Sequence, residues 1–475
     1  MLSDRILEIF KDITRIPRGS GHEEPMTQYL LDWASAHALT AKRDEIGNVC
    51  ITRGASKGKE NVPVLVLQAH QDMVCEKNAG VEHDFFKDPI HYEIEDGWLI
   101  AKDTTLGADD GIGIAACLAL LESDLSMGPL ECVFTISEET GMDGAFFMKE
   151  GFFTGKTLIN LDSEDEGQMF IGCAGGVTTE ADYHYDTQPL SSDSVICSLH
   201  ISGGIGGHSG DDINKGRANT VQLLLRFLYT HLDDIRIISI DGGGKHNAIA
   251  RECSAVVACS CPESLKAEFE KFASEVRNEF RVTDPGLLFV VNPIKEKCGA
   301  GICSQQAGRI VSSLYACPHG LVTMSQDVPG FVETSTNLAS VRTDVASKTI
   351  HVCTSQRSST RSECRAIAAK VEAALSLGGA EVEHLSEYPG WAPNVDSSIL
   401  KQCVQSYEKL FNEKPLVLAI HAGLECGLFL EKFPGLDMIS FGPTLRGVHA
   451  PGEKLELKSL VKFAEHLEDV VVNFK

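Results

Sequence analysis

The sequence contains no C-x-x-C pair, no excess of basic residues and no apolar run of about 18 residues. The first absence argues against a structural zinc site of the finger type, which pairs cysteines at short spacing. The second argues against nucleic-acid and anionic-membrane partners: 42 Lys and Arg stand against 67 Asp and Glu, a net charge of -25, and such partners need clustered positive charge. The third argues against a transmembrane helix.

The sixteen cysteines are scattered along the chain, many of them inside apolar runs such as residues 116–118 and 131–133. Such cysteines are typical of buried, reduced thiols. The first residues lead into an amphipathic stretch rather than a signal peptide. We therefore expect a cytoplasmic protein without a disulfide framework.

The 475 residues are too many for a single hydrophobic core, so at least two domains are expected. Helical periodicity and short buried strands alternate over residues 1–183 and return over residues 386–475, which predicts an α/β domain with a mixed sheet flanked by helices. Residues 184–385 show a different order of helices and strands that occurs twice. This pattern predicts an inserted lid domain, an internally duplicated α+β sandwich.

Acidic residues and histidines recur where the buried strands of the predicted α/β domain end. The clusters contain His70 and Asp72, Asp109 and Asp110, Glu138 and Glu139, Asp162, and finally His449. Each cluster alone has a plainer explanation, such as a hydrogen-bonded histidine, a helix N-cap or solvated loop carboxylates. Together they place acids and imidazoles along one edge of one sheet, where open α/β sheets bind their ligands.

The composition of these clusters favours divalent cations. Two imidazoles and several carboxylates, with no cysteine, suit Zn²⁺ or related ions. The adjacent Glu138 and Glu139 would repel each other if both were buried and ionised. A bound cation removes that conflict, because one glutamate can be a ligand while the other accepts a proton from water.

The ordered motifs H-x-D, A-D-D-G-I-G, S-E-E-T-G, N-L-D-S-E-D-E-G, G-G-H-S-G and G-P-T-L-R-G-V-H resemble those of the di-zinc peptidases related to carboxypeptidase G and aminoacylase. H-A-G-L-E-C-G at residues 421–427 and Y-P-G-W at residues 388–391 resemble the aminoacyl-histidine dipeptidase branch, which includes Xaa-His, cytosol non-specific and carnosinase-like dipeptidases. The resemblance spans nearly the whole chain. It implies a di-zinc exopeptidase-type fold and hydrolysis of unblocked dipeptides, Xaa-His and β-alanyl-histidine among them, with broad specificity.

The resemblance also implies a role for each matching residue. His70, Asp109 and Asp162 would hold one metal ion, and Asp109, Glu139 and His449 the other, so that Asp109 is shared. Zn²⁺ is the first expectation, with Co²⁺ and Mn²⁺ as alternatives. Asp72 would orient His70. Glu138 would be the general base that deprotonates the metal-bridging water and then protonates the leaving amine. The peptide bond between Asp109 and Asp110 is expected to be cis.

Further roles that the resemblance implies concern substrate binding. His208 would stabilise the oxyanion, from its own chain or from a partner subunit, and a homodimer is expected. Asn247, Arg251 and Arg357 are candidates for binding a substrate carboxylate. His421 and Glu425 would line the pocket and meet the substrate amine. Residues 450–453 read A-P-G-E where relatives tend to have S-P-D-E, which leaves the metal ligand His449 intact.

Two alternatives to the dipeptidase remain at this stage. One is a sibling enzyme with the same metals, either an N-acyl amino-acid deacylase or a tripeptide aminopeptidase. The other is a protein that binds metal without catalysis. Comparing the cleavage of free and N-acetylated dipeptides distinguishes the sibling enzyme from the dipeptidase. A protein that only binds metal would keep its function when Glu138 is replaced by Ala.

Overall fold

A computed structural model describes residues 1–295 and 298–475. The helices are α1 (Leu2–Ile13), α2 (Glu24–Ala36), α3 (Ala108–Glu122), α4 (Glu138–Gly141), α5 (Asp143–Phe147), α6 (Thr220–Thr230), α7 (Pro262–Glu279), α8 (Ser304–Ala316), α9 (Arg361–Leu377), α10 (Ser398–Phe411), α11 (Glu425–Lys432) and α12 (Leu457–Asn473). Across the described residues, none of these helices combines the length and apolar character that a membrane span requires.

The strands are β1 (Thr40–Arg43), β2 (Val49–Arg53), β3 (Leu65–His70), β4 (Glu93–Glu95), β5 (Trp98–Ile100), β6 (Leu130–Thr135), β7 (Thr157–Asn160), β8 (Gln168–Cys173), β9 (Gly175–His184), β10 (Thr187–Pro189), β11 (Val195–Ser202), β12 (Ile235–Gly243), β13 (Cys253–Cys259), β14 (Leu288–Pro293), β15 (Ala300–Ile302), β16 (Gly320–Met324), β17 (Val332–Asp344), β18 (Thr349–Ser358), β19 (Glu381–Tyr388), β20 (Leu416–Ile420), β21 (Asp437–Ser440), β22 (Leu445–Arg446) and β23 (Lys454–Glu456). All sixteen cysteines lie in the described residues, and none of them forms a disulfide there.

The chain divides into two compact units. The first comprises residues 1–172, 391–419 and 424–475, and the second residues 173–390 and 420–423. The boundaries expected from the sequence, at 183/184 and 385/386, instead fall within β9 and β19. These two strands pair with each other in the sheet of the second unit, so both belong to it.

The first unit is built on a mixed sheet with the strand order β1-β2-β6-β3-β7-β21-β8-β20. Its central strands β6, β3, β7 and β21 run parallel. Strand β3, with the sequence LVLQAH, is buried along its whole length, as its run of apolar residues predicts. Helix α1 buries the apolar face formed by Ile6, Ile9, Phe10 and Ile13. Because the central strands are parallel, the turns that follow them all lie at one edge of the sheet.

The second unit contains a sheet with the order β14-β11-β13-β12-β17-β18-β9-β19, and β16 pairs beside β17. Two copies of one arrangement meet where β12 pairs with β17. In the first copy the chain runs β11, α6, β12, β13, α7, β14. In the second it runs β9, α8, β17, β18, α9, β19, with the strands in the matching spatial order. The internal duplication predicted from the sequence is therefore present.

The sequence pattern misses the strand that begins the second copy. That strand is β9, which precedes the whole first copy in the chain, whereas β16 lies outside the repeated order. Buried and more exposed residues alternate along β9, and it carries Glu180 and Asp182. It is therefore half-buried and lacks the continuous apolar run by which the other strands were predicted.

Candidate metal centre

The five predicted metal ligands lie in the first unit, at the carboxyl edge of its central sheet. His70 is the last residue of β3, Asp162 follows β7, and Glu139 lies in α4 directly after β6. Asp109 lies in the first turn of α3, and His449 lies in the segment that follows β21. Long-range pairing of parallel strands thus brings together residues that lie up to several hundred positions apart in the chain.

Asp109 lies between two groups of side chains, one on each of its carboxylate oxygens. Its Oδ1 lies 2.9 Å from His70 Nε2, and the same ring nitrogen lies 3.6 Å from Asp162 Oδ1. Its Oδ2 lies 3.1 Å from His449 Nε2, which in turn lies 2.9 Å from Glu139 Oε2. A carboxylate with one histidine and one further carboxylate on each side has the arrangement of a ligand shared by two cations.

The turn that carries Asp109 departs from helical geometry. Gly107 has a φ of 68°, and Asp109 and Asp110 lie outside the helical region before α3 continues regularly. The bond between Asp109 and Asp110 is cis, so that expectation is confirmed. Asp110 also comes within 4.8 Å of His70 and Asp162 as a possible ligand. However, it accepts backbone N–H bonds from His70 and Gly113, which makes Asp109 the better bridge.

The electrostatics of the site fit bound cations. Burial raises the pKa of Asp162 well above its usual range, and the charge of Asp109 acts in the same direction. Hydrogen bonds to Asp109 and Glu139 raise the pKa of His449 to about 11. Within the described residues, Glu139 Oε1 is buried without a hydrogen-bond partner. So much negative charge at one buried place is costly unless positive charge compensates it.

Glu138 lies beside the ligand set. Burial raises the pKa of its carboxyl group well above the usual range; the charge of His70 opposes this shift, and the charges of Asp162 and Glu425 add to it. A carboxylate with a raised pKa is suited to accept and return a proton near neutral pH.

Asp72 contacts both His70 and the turn of Glu138. Its Oδ1 lies 3.3 Å from His70 Nδ1. The same carboxylate accepts backbone N–H bonds from Glu138 at 3.0 Å and from Glu139 at 3.2 Å. Asp72 therefore holds the turn of Glu138 and Glu139 in place as well as His70, a second role that the H-x-D spacing did not indicate.

Glu453 is a site residue that the sequence reasoning missed. Its buried carboxylate accepts backbone N–H bonds from Leu106 at 2.7 Å, Gly107 at 3.0 Å and Ala108 at 2.8 Å. It thereby ties the segment after His449 to the turn that carries Asp109. The one available signal was its place four residues after His449, in the stretch that differs from the relatives.

Glu425 is fully buried in the first unit. Its Oε2 accepts hydrogen bonds from Gln68 at 2.6 Å and Thr135 at 2.8 Å, and its Oε1 has no hydrogen-bond partner among the described residues. Burial raises the pKa of Glu425 to about 7. Gln68 and Thr135 belong to β3 and β6, so Glu425 lies against the strand that ends at His70 and the strand that precedes Glu138.

The remaining predicted residues lie in the second unit. His208 Nδ1 is 3.4 Å from Asp211, whose pKa is lowered by that hydrogen bond and by the charges of Arg357 and His421. Arg357 is 6% exposed, with an Nε that has no partner among the described residues. Burial lowers the pKa of His421 to about 3, and its Nε2 lies 2.7 Å from Ser335 Oγ. His208, Arg357 and His421 thus form one polar cluster.

Asn247 and Arg251 are less closely tied to that cluster. The backbone carbonyl of Asn247 accepts the N–H of Ser209, so its loop lies beside the turn of His208. Arg251 is exposed. The aliphatic part of its side chain lies against Gly206, where a larger residue would collide with it.

The chain matches the sequence model of peptidase family M20/M25/M40 over residues 66–473. The chain belongs to this family. It is 37% identical over 458 residues to a cytosol non-specific dipeptidase of Escherichia coli (strain K12), covering 95% of this chain and 94% of that protein. The resemblance inferred from the motifs is therefore confirmed.

Solved structures agree with this assignment. The M20 fold of the chain superposes on an aminoacylhistidine dipeptidase of Vibrio alginolyticus with a TM-score of 0.92 and 37% identity, covering 99% of this chain and 96% of that one. An aminopeptidase of Bacillus cereus shares the fold, with a TM-score of 0.58 and 14% identity over 99% and 98% of the two chains. The fold class predicted from the sequence is confirmed.

Proposed function

We propose that this M20 protein is a metal-dependent dipeptidase that hydrolyses unblocked dipeptides, Xaa-His and β-alanyl-histidine among them. The observation that carries the proposal is Asp109, whose two carboxylate oxygens each face a histidine and a further carboxylate. The names of the similar proteins, a cytosol non-specific dipeptidase and an aminoacylhistidine dipeptidase, support the choice of substrate.

The ligand set fits two divalent cations, with Zn²⁺ as the first candidate and Co²⁺ or Mn²⁺ as alternatives. His70, Asp109 and Asp162 would hold one, and Asp109, Glu139 and His449 the other. When bound, the cations would lower the pKa of water and polarise the scissile carbonyl.

Glu138 carries the proton in this proposal. Its carboxylate takes a proton from the attacking water and gives a proton to the amine nitrogen as the peptide bond breaks. Asp72 fixes the position of Glu138 relative to His70, because its carboxylate lies beside the His70 ring and accepts N–H bonds from the backbone of the Glu138 turn. His208 would stabilise the oxyanion, either from its own chain or from a partner subunit.

Substrate selection provides the test of the proposal. We expect the purified protein with Zn²⁺ to hydrolyse alanyl-histidine and β-alanyl-histidine and to leave their N-acetylated forms intact, because a blocked amine is no longer a cation. Glu425, buried with one oxygen free, is the proposed partner of that amine. Product formation measured by chromatography checks this. If only the N-acetylated forms, or only tripeptides, are cleaved, the dipeptidase assignment is wrong and a sibling enzyme is correct.

Arg357 is proposed to bind the substrate carboxylate. Replacing it with Lys keeps the positive charge but loses the bidentate hydrogen bonds of the guanidinium. KM for alanyl-histidine should therefore rise by about 10- to 100-fold, with a smaller change in kcat. Arg251→Lys is the matched control, because Arg251 is exposed and should change KM little. The amide of alanyl-histidine, which lacks the carboxylate, should show no difference between wild type and Arg357→Lys. A larger effect at Arg251 would reverse the assignment.

The proposal also includes a cytoplasmic location and a homodimer. The first rests on the E. coli relative, which is named as a cytosol dipeptidase. The second rests on the resemblance alone. Light scattering on the purified chain measures the oligomeric state directly.

A further inference from the structure

The connection between α1 and α2, residues 14–23, contains two charged side chains that are buried. Arg18 is 2% exposed and Glu23 is 5% exposed. Charged residues are rarely so buried. The segment also precedes residue 66, where the match to the family begins.

Arg18 connects the turns that carry two ligands of the metal centre. Its Nη1 donates to the carbonyl oxygens of Gln71 at 3.0 Å and Asp72 at 2.6 Å, and its Nη2 donates to the carbonyl of Gly107. Gln71 and Asp72 directly follow His70 in the chain, and Gly107 lies two residues before Asp109. A Cβ added at Gly107 would lie 2.5 Å from Arg18 Nη2, so the glycine leaves room for the guanidinium.

Ser20 connects the segment to the side chain of Asp72, and Glu23 connects it to the turn of Glu138 and Glu139. Ser20 Oγ donates to Asp72 Oδ2 at 2.8 Å. Glu23 Oε1 accepts the backbone N–H and the hydroxyl of Ser137, each at 3.0 Å. Ser137 has a φ of 52°, in the left-handed region, and directly precedes Glu138 and Glu139. The position of these two glutamates therefore depends on a turn that Glu23 stabilises.

Together the three side chains of this short segment reach the turns of His70, Asp109 and Glu139. All of these bonds lie within the first unit. Buried charged groups contribute little to stability over well-packed apolar ones. Bonds directed at three ligand-bearing turns therefore indicate a role in geometry rather than in stability alone.

We infer that the segment Arg18–Glu23 is a positioning element that sets the geometry of the metal centre. This inference rests on the proposed function for the identity of the ligands. It assigns to Arg18, Ser20 and Glu23 an effect on metal affinity and on the placement of Glu138, without contact with substrate. Outer partners of metal ligands typically change affinity or activity by about 10- to 100-fold when they are lost.

The test uses Glu23→Ala, Ser20→Ala and a matched control. The control is Glu131→Ala, because Glu131 is also buried and also accepts backbone N–H bonds, from Thr154 at 2.7 Å and Gly155 at 3.1 Å. It lies at the start of β6, whereas the site follows the end of that strand. Zn²⁺ affinity by chelator competition, the visible spectrum of the Co²⁺-substituted protein, and kcat and KM for alanyl-histidine are measured for all variants.

We expect Glu23→Ala to lower Zn²⁺ affinity or kcat by about 10- to 100-fold, to alter the Co²⁺ spectrum and to leave KM within about threefold. Ser20→Ala should act in the same direction more weakly. Glu23→Gln, which keeps an acceptor oxygen for Ser137, and Ser20→Thr, which keeps the hydroxyl, should restore most of the loss. Glu131→Ala should lower the melting temperature while the affinity and the spectrum stay those of wild type.

Wild-type affinity, spectrum and kcat in both Glu23→Ala and Ser20→Ala would overturn the inference, as would equal losses in Glu131→Ala. Failure of the proposed function is a separate result, seen in the wild-type protein. If wild type binds metal but does not cleave dipeptides, the affinities and spectra still decide the role of the segment. If wild type binds no metal, both proposals are wrong.

Discussion

Glu138→Gln is expected to lower kcat for alanyl-histidine by about 10²- to 10⁴-fold, the usual contribution of a general acid–base group. The amide keeps the size and hydrogen-bonding capacity of the side chain but cannot take a proton from water. Because Glu138 is not among the proposed ligands, the metal content should remain that of wild type. KM should change little, since the substrate contacts are preserved. Steady-state kinetics and elemental analysis of the same preparation check both parts.

Glu139→Gln is the matched control for that experiment. The two residues are adjacent in the S-E-E-T-G motif, but Glu139 Oε2 lies 2.9 Å from His449, and Glu139 is one of the proposed ligands. Its variant should lose metal affinity first and activity as a consequence, so that added Zn²⁺ recovers part of the rate. If Glu138→Gln keeps more than about a tenth of the wild-type kcat, Glu138 is not the general base.

Loss of Asp109, the carboxylate proposed to be shared by the two cations, is expected to have the other large effect. Asp109→Asn removes the negative charge between the two histidines. It also leaves one carbonyl oxygen, whereas the proposed bridge uses one oxygen for each of the two cations. Binding of the second cation should fall by at least about 10- to 100-fold, which is already the loss expected from outer partners of a ligand. Activity at limiting Zn²⁺ should fall with it. Binding isotherms for both proteins measure the difference.

Asp110→Asn provides the comparison for Asp109→Asn. Asp110 is adjacent and buried, but it accepts backbone N–H bonds from His70 and Gly113 rather than facing both histidines. Its variant should retain binding of both cations with a moderate loss of affinity. Equal loss of the second cation in both variants would contradict the assignment of Asp109 as the bridge.

The metal centre was the part most accessible from the sequence. His70, Glu139 and Asp162 follow short buried strands with strong apolar runs, and parallel strands place their carboxyl ends at one edge. Asp109 begins a helix and His449 lies in a late loop, so the strand pattern placed these two residues less directly than the resemblance did. The division of the ligands between the two sides of Asp109 came from the resemblance and not from the residue pattern.

The residues that hold the site were not accessible in this way. The side chains of three residues bind the backbone of turns far away in the chain: Arg18, Glu23 and Glu453. Every residue type offers a backbone carbonyl, and nearly every one an N–H, so such a bond leaves no recognisable pattern in the sequence of the turn. Strand β9 was missed because its half-buried alternation includes Glu180 and Asp182. The boundaries of the second unit shifted for the same reason, since β9 and β19 pair with each other.

The central claim is that two cations, shared through Asp109, support dipeptide hydrolysis. The most direct measurement is a Zn²⁺ titration of chelator-treated protein in which bound metal and hydrolysis of alanyl-histidine are followed together. The account predicts no hydrolysis before metal is added, and binding and activity that both reach their plateau at two ions per chain. Hydrolysis by the verified metal-free protein, or a plateau of activity at a single ion, would contradict it.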